Sequence, residues 1–386
     1  MKKVFALLLA LMMVLGAVAC APAQQPATET PAPAATEAPA AEATPEATPE
    51  PAAAGFEVAL ITDIGTIDDK SFNQGAWEGV EAYAKANGKT YKYYQPTEQS
   101  NDAYLAQIEL AVQNGAKVIV TPGFLFETPI FIAQDQYPDV TFILLDGSPN
   151  NGDWSAGAPT YKTGTNTVGI TYAEQESGYL AGYAAVKDGY TKLGFMGGMA
   201  VPAVVRFGYG FAQGANDAAK ELGKNVELMY HYTGGFDATP EAQNLAASWY
   251  NNGTEVIFGC GGAVGFSVFA AAEAAGAKSI GVDVDQSGES DTVITSAMKS
   301  LAPGVEMLIK QYYDGTFPGG QSLVLDASNN SIGLPFASSK FTTFTQADYD
   351  AMFAKIANKE VTILKDDAAE SADKLELANV KVTVVE

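Results

Sequence analysis

The sequence predicts an α/β protein of two doubly wound lobes with mainly parallel sheets. From Phe56 onward, short apolar runs alternate with amphipathic segments, as they do where helices cover parallel strands. Several predicted helices end in a glycine just before the next strand, where glycine readily adopts the left-handed conformation of a helix cap. The predicted strands are too numerous for one ordinary sheet, so we expect two sheets with a ligand cleft between them.

Residues 1–20 are predicted to be a lipoprotein signal peptide. Lys2 and Lys3 form a basic start, an apolar run covers 5–18, and the segment ends in Ala-Val-Ala-Cys. This ending resembles a bacterial lipobox, in which Cys20 would be lipidated and become the new N-terminus. The same ending also fits an ordinary secretory signal with an Ala-x-Ala cleavage site, and the apolar run is too short to indicate first a membrane span.

Residues 21–54 are predicted to be a disordered tether. The segment consists almost only of Ala, Pro, Thr, Glu and Gln, and it contains neither an aromatic residue nor a Lys or Arg. Such a composition buries too little apolar surface to offset the entropy of the chain, and its prolines favour extended conformations.

The body of the chain is predicted to start with a strand and then to alternate. The first helix is expected after Ser71, which with Gln74 resembles a capping box, and its apolar residues recur at helical spacing. Further helices are expected between most of the strands. The predicted strands lie at 57–62, 91–95, 117–122, 140–146, 167–171, 192–197, 226–231, 255–260, 279–283, 292–296 and 323–325.

Composition excludes several classes of protein. The chain of 386 residues has 22 Lys+Arg against 45 Asp+Glu, a net charge of −23, whereas a nucleic-acid binder needs a basic surface. One His (His231) and two Cys (Cys20 and Cys260) argue against a zinc site and against most acid–base chemistry that depends on His. We therefore expect no cofactor, no metal and no nucleic-acid partner.

Polar and aromatic residues gather where the predicted strands end. Carboxylates follow the first strand, with Asp69 in the loop, and others such as Asp146 and Asp283 follow later strands. Carboxylates accept hydrogen bonds from vicinal hydroxyls, aromatic side chains stack on flat rings, and glycines let a ligand approach the backbone. This combination fits a flat heterocycle joined to a sugar, although carboxylates before a helix also fit helix capping alone.

Two other motifs are weaker. Residues 283–291 partly match a calcium loop, but Ile294 stands where the bidentate Glu should be. Residues 259–264 nearly match a dinucleotide-binding glycine motif, with Val264 at the position of the last glycine. The second motif keeps an enzyme that acts on nucleosides or dinucleotides open as an alternative.

Several longer segments resemble the basic membrane protein family of bacterial ABC-transporter substrate-binding lipoproteins, whose purine nucleoside receptors are the characterised type. The segment DIGTIDDKSFNQGAWE at 63–78 is the most specific. The resemblance continues in the expected order and covers the body from about 56 to 320. It implies a type I periplasmic-binding-protein fold that closes two α/β lobes around a ligand. The other matching segments are 171–185, 194–214, 232–265 and 280–300.

The resemblance also implies a set of ligand-binding residues. Asp69 and Asn73 would hydrogen-bond the edge of a purine, and Phe72 and Phe207 would stack on its two faces. The segments that hold the ribose match Gly261, Asp283 and Lys299, with Lys299 expected at the start of a helix; Asp146 is a further candidate, and Phe124 would form part of the pocket wall.

By the same resemblance, the N-terminal lobe would comprise 55–168 with about 284–318, and the C-terminal lobe 169–283 with about 319–386. The family's pattern has a second Gly where Thr66 stands, and the stretch 147–166 is longer and more polar than the pattern, so that we expect it to shape the rim of the cleft.

The implied function is binding without chemistry. The chain would be a monomer, lipid-anchored at Cys20 to the outer face of the bacterial cell membrane, presenting a purine nucleoside to an ABC permease and its ATPase. The alternatives are riboflavin or another small molecule as ligand, delivery to a signalling receptor, and the enzyme named above.

Overall fold

The computed structural model describes residues 55–386, so the predicted signal peptide 1–20, the lipidation site Cys20 and the tether 21–54 lie outside the described part. Strands and helices alternate along the described part almost throughout. In chain order they are β1 Val58–Ile61, α1 Phe72–Ala86, β2 Tyr91–Tyr94, α2 Asn101–Gln113, β3 Val118–Pro122, α3 Glu127–Gln136, β4 Thr141–Leu145, β5 Thr167–Tyr172, α4 Glu174–Lys187, β6 Lys192–Gly197, α5 Pro202–Leu222, β7 Val226–Tyr232, α6 Pro240–Asn251, β8 Val256–Cys260, α7 Val264–Ala275, β9 Lys278–Asp283, β10 Val293–Lys299, α8 Leu301–Tyr313, β11 Gln321–Leu325, β12 Ile332–Gly333, α9 Gln346–Ala357 and β13 Val380–Val384.

These strands form two sheets, as predicted. The first sheet has the order β11-β5-β4-β3-β1-β2 and is parallel throughout. The second has the order β12-β10-β9-β8-β6-β7-β13 and is parallel except for the antiparallel pair β10–β12. The run β5-β4-β3-β1-β2 of the first sheet is repeated as β10-β9-β8-β6-β7 in the second, so equivalent strands of the two lobes end in equivalent places.

Two strands were not predicted. β12 is only two residues long, too short to leave a periodic pattern. β13 lies at the edge of the second sheet beside β7, and only its first residue, Val380, is buried. The face with Val380 and Val382 packs on the core, and the alternation Val-x-Val-x-Val was the signal in the sequence for this strand.

The chain crosses between the lobes at places that differ from the expected ones. β5 extends to Tyr172 within the first sheet, beyond the expected boundary at 168. The expected return to the first lobe after Asp283 is wrong, because β10 pairs in parallel with β9 and stays in the second sheet up to Lys299. The next crossing back comes after Leu325 and not at about 319, since β11 pairs with β5. The crossings are determined by which strands pair with each other. The sequence of a single strand does not reveal its pairing partners, so the crossings could not be located from the strand pattern.

The three crossings lie side by side. The amide of Ala173 donates to the carbonyl of Leu325 (2.9 Å), and the amide of Ser300 donates to the carbonyl of Ser331 (2.8 Å). The hydroxyl of Tyr172 donates to the carbonyl of Ser300 (3.2 Å). These contacts join all three connections into one hinge region directly behind the ends of β5 and β10.

Helices α4 and α5 pack against each other at unusually close range. A Cβ at Gly182 would lie 2.0 Å from the carbonyl oxygen of Phe211, and one at Gly214 would lie 2.0 Å from the carbonyl oxygen of Tyr179. Only glycine leaves room for the backbones to approach this closely. The contact fixes α5, which carries Phe207, relative to α4, which follows the first crossing.

Within 55–386, the helices are all too short or too polar to cross a bilayer.

Candidate ligand-binding site

All nine of the predicted ligand-binding residues line one cavity of about 270 Å³. The cavity is bounded by the loops that follow strands of both sheets, as expected for doubly wound lobes. The nine residues are Asp69, Phe72, Asn73, Phe124, Asp146, Phe207, Gly261, Asp283 and Lys299.

Asp69 holds the start of α1. Its carboxylate oxygens accept hydrogen bonds from the amides of Ser71 (2.9 Å), Asn73 (3.0 Å) and Gln74 (3.0 Å). The predicted capping box of Ser71 and Gln74 is therefore wrong: the Ser71 side chain caps nothing in the helix and instead donates to Oδ2 of Asp283 (2.6 Å). Asp69 combines a capping role with a place on the cavity wall, so the two interpretations of this carboxylate are compatible.

Asn73 connects Asp69 with a second buried carboxylate. Its Nδ2 donates to Oδ1 of Asp63 and to Oδ2 of Asp69, both at 3.0 Å. Oδ1 of Asp63 also accepts from the amide of Gly65 (2.7 Å). Burial raises the pKa of Asp63 to about 6, although these hydrogen bonds favour its ionised form. The polar loop before α1 is thus ordered by its own hydrogen bonds.

A buried ammonium joins the two lobes. Lys299, only 3% exposed, ends β10, so the expectation that it starts a helix is wrong. Its Nζ donates to Oδ2 of Asp146 and lies 3.6 Å from Oδ1 of Asp283. Asp146 directly follows β4, and Asp283 is the last residue of β9. Both residues have a left-handed backbone conformation, with φ of 54° and 66°. Aspartate tolerates this conformation better than most residues, and it aims both carboxylates at the ammonium.

The charges of this cluster shift one another's pKa values. Burial alone would lower the pKa of Lys299, but the carboxylates of Asp146 and Asp283 and that of Glu174 outweigh it and raise the pKa, so the ammonium stays charged. Burial raises the pKa of Asp146 to about 7, against the opposing effect of Lys299. Oδ1 of Asp146 is buried and has no hydrogen-bond partner in the described part of the chain, so it is available to a ligand.

Three aromatic rings surround the same ammonium. Nζ of Lys299 lies 4.5 Å from the ring centroid of Phe72, 5.5 Å from that of Tyr172 and 5.7 Å from that of Phe207. Phe72 is half-buried, whereas Phe207 is 2% exposed and packs edge-on against Phe258. The two rings predicted to stack on a base therefore meet at one charged group.

Gly261 supports an aromatic ring that the sequence analysis did not single out. Gly261 has φ +113°, and a Cβ there would lie 3.1 Å from the ring of Phe236. A Cβ at Gly198 would lie 2.5 Å from the same ring. Phe236 also lines the cavity, as does Phe124, which begins a short 3₁₀ helix after Gly123. The Gly-Gly-Phe run at 234–236 was the available signal for this wall.

The remaining sequence candidates are placed as follows. Cys260 lines the cavity, but burial raises the pKa of its thiol well above the ordinary value, which leaves the thiol protonated. His231 lies in β7, where its Nδ1 is 2.7 Å from the carbonyl oxygen of Val385. In the described residues, the stretch 147–166 folds back on itself through an antiparallel bridge of Asn150 and Tyr161 and contributes nothing to the cavity lining.

A family profile and several curated relatives match this chain. Residues 56–367 match the Bmp family, described as PnrA-like ABC transporter substrate-binding proteins. An ABC transporter nucleoside-binding protein BmpA from Lactococcus lactis is 30% identical over 301 residues, which cover 72% of this chain and 81% of that protein. Basic membrane protein A from Borreliella afzelii is 29% identical over 312 residues, covering 80% of this chain and 91% of the relative.

Solved structures share the fold. A solute-binding protein of an ABC transporter system from Conexibacter woesei superposes with a TM-score of 0.64 at 26% identity, covering 81% of this chain and 99% of that one. A solute-binding protein from Aeropyrum pernix gives a TM-score of 0.70 at 23% identity, covering 82% and 95%. The predicted type I periplasmic-binding-protein fold is confirmed.

Proposed function

Since the chain belongs to the Bmp family of PnrA-like ABC transporter substrate-binding proteins, we propose that it binds a purine nucleoside between its lobes and delivers it to an ABC importer. The observation that carries this proposal is the grouping of Phe72 and Phe207 around the Lys299 ammonium in one cavity. Aromatic rings suit a heterocyclic base, and an ammonium beside buried carboxylates suits the hydroxyls of a sugar.

Each predicted residue has a role in this proposal. Phe72 and Phe207 hold the base by stacking, and Asp69 and Asn73 meet its polar edge. Lys299 and Asp283 hydrogen-bond the ribose, next to the backbone of Gly261. The free Oδ1 of Asp146 accepts a hydrogen bond from a ligand hydroxyl, and Phe124 closes the wall.

Cavity size supports a nucleoside over a larger ligand. At about 270 Å³, the cavity lies just below the range of roughly 300–1,000 Å³ for small-molecule sites. Riboflavin or a dinucleotide would need a wider opening between the lobes.

The mechanism is capture by closure of the lobes, and the chain performs no reaction. Contacts across the cleft support this mechanism: Ser71 with Asp283 at 2.6 Å, and Lys299 with Asp146. A ligand that bridges the lobes favours the closed arrangement by its stronger binding to that state.

The remaining proposals concern the N-terminal part and the partners. Residues 1–20 direct export, Cys20 carries the lipid, and 21–54 tether a monomeric binding body to the outer face of the cell membrane. The partners are the permease and the ATPase of the importer. Metabolic labelling with a radioactive fatty acid tests the anchor: the chain should take up label and the Cys20→Ala variant should not, while an unlabelled wild type contradicts it.

A thermal-shift titration tests the proposed ligand. The purified protein, stripped of carried-over ligand, is titrated with inosine, guanosine, adenosine, cytidine, riboflavin, ribose and NAD. Purine nucleosides should raise the melting temperature by mass action, while ribose and NAD should not. A shift with riboflavin alone would show that riboflavin, and not a purine nucleoside, is the ligand. No shift with any compound would overturn the assignment of the pocket.

A further inference from the structure

Glu174 lies directly behind the cavity without lining it. It is the first residue of α4, immediately after the crossing at Ala173, and its side chain is fully buried. Glu174 comes only two residues after the end of β5, so its place after a strand was the available signal, and the sequence analysis did not single it out.

The two carboxylate oxygens of Glu174 face two different cations. Oε1 lies 3.4 Å from Nζ of Lys299, and Oε2 accepts a hydrogen bond from Nε of Arg206 at 2.7 Å. Arg206 precedes Phe207 on α5, and its Nη1 lies 3.5 Å from Oδ1 of Asp366. One carboxylate thus connects the ammonium at the inner end of the cavity with the helix that carries a proposed stacking ring.

The two neighbouring cations favour the ionised form of Glu174. Burial would raise the pKa of Glu174, but Arg206 and Lys299 outweigh it and lower the pKa. Its negative charge in turn raises the pKa of Asp146. Three buried carboxylates therefore share one buried cation, Lys299, and one partly buried cation, Arg206. Burial raises the pKa of Asp146 to about 7, so Asp146 takes up a proton readily.

We propose that Glu174 is a positioning residue for ligand binding: it fixes the Lys299 ammonium at the cavity and holds Arg206, and with it the start of α5, so that Phe207 faces Phe72. This role rests on the proposed function, because the groups that it positions are the proposed nucleoside contacts. Glu174 itself does not touch the ligand.

The Glu174→Gln variant tests this role. Glutamine keeps the volume and can still accept from Arg206, but it removes the charge that attracts Lys299. At pH 8.5, where Asp146 is ionised in both proteins, isothermal titration calorimetry should show inosine binding about tenfold weaker in the variant, because the Lys299 ammonium loses one of its three carboxylate partners. The pH profile is the second readout, because a merely structural role would not move it.

In the wild type, inosine affinity should fall as the pH drops through about 7, when Asp146 takes up its proton. In Glu174→Gln the fall should occur at lower pH, because one negative charge near Asp146 is gone. The titratable and charged groups on the elements around Asp146 are Lys299 on β10, Asp283 on β9, Glu174 on α4, Arg206 on α5, Tyr172 on β5 and Glu127 on α3.

Glu176→Gln is the matched control. Glu176 lies in the same first turn of α4 and is 5% exposed, but it accepts from the amide of Ala327 (2.8 Å) and from Nζ of Lys359 (2.7 Å), away from Lys299. Its replacement should lower stability without moving the pH at which inosine affinity falls. Glu174→Asp, which keeps the charge, should retain the wild-type pH profile.

The outcomes separate the two proposals. If the wild type does not bind a purine nucleoside, the proposed function is overturned. If the wild type binds and a folded Glu174→Gln protein, checked by denaturant unfolding, shows the same affinity and the same pH profile, the positioning role of Glu174 is overturned while the proposed function stands.

Discussion

Lys299, at the end of β10 in the second sheet, donates a hydrogen bond to Asp146, which follows β4 in the first sheet. The contact joins the two lobes at the innermost part of the cavity and neutralises part of the buried negative charge around it. Lys299 is the last residue of β10, next to the hinge region, and Asp146 directly follows β4. A ligand that contacts both residues therefore contacts both lobes.

Replacing Lys299 by Met should strongly destabilise the protein. The substitution leaves Asp146, Asp283 and Glu174 without their shared buried cation, and removing one partner of a buried ion cluster costs about 3–5 kcal/mol. Denaturant unfolding at pH 7.5 measures the loss. Lys310→Met, which removes an exposed pair with Asp314, should leave the free energy of unfolding nearly unchanged. Equal stability of the two variants would contradict the buried cluster.

The two stacking rings should differ in what their loss does. Phe72→Ala and Phe207→Ala should each weaken nucleoside binding by about 1–3 kcal/mol, the scale of stacking of a base on an aromatic ring. Phe207 is also packed in the core against Phe258, so its replacement should lower the free energy of unfolding by about 3–5 kcal/mol as well. Calorimetry measures the loss of nucleoside affinity, and denaturant unfolding measures the loss of stability. Unchanged nucleoside affinity in both variants would contradict the assignment of the two rings as stacking residues.

Gln286 should act as a latch between the lobes. Its Oε1 accepts from the amide of Val282 within its own lobe (2.8 Å), while its Nε2 donates to the carbonyl of Lys70 in the other lobe (2.8 Å). Gln286→Ala should weaken nucleoside binding about tenfold, the equivalent of one buried hydrogen bond.

Gln213→Ala is the matched control for the latch. Gln213 also bridges two backbone groups, Thr362 (2.9 Å) and Leu364 (2.7 Å), but both belong to the segment packed on α5 of the same lobe. This variant should lose stability and keep its affinity. A latch role is excluded if the two variants bind equally well.

Asp63 should make stability depend on pH. Its pKa is raised from the ordinary value near 3.8 to about 6 in the folded protein, so the folded state binds this proton more tightly than the unfolded state does. Its contribution to stability is therefore present at low pH and is lost as the pH rises from about 4 to about 6, by about 3 kcal/mol. Unfolding of wild type and Asp63→Asn across pH 4–8 measures it: the difference between the two curves should change over that window, and a constant difference contradicts the raised pKa.

The sequence predicted those parts of the site that depend on strand ends. Asp146 and Asp283 follow apolar strands, and parallel strands bring their carboxyl ends to one edge of a sheet. Glu174 meets Lys299 across 125 residues, through a crossing whose position depends on strand pairing. Similarly, either Asp69 or Ser71 could cap a helix from its residue type, and only the path of the loop selects Asp69.

A crystal structure of the protein with inosine bound tests the central claim most directly. The account predicts the purine ring between Phe72 and Phe207, with ribose hydroxyls within hydrogen-bonding distance of Lys299 and Asp283 and a further one at the free Oδ1 of Asp146. A nucleoside bound elsewhere, or with its base outside the two rings and its sugar away from Lys299, would contradict the account.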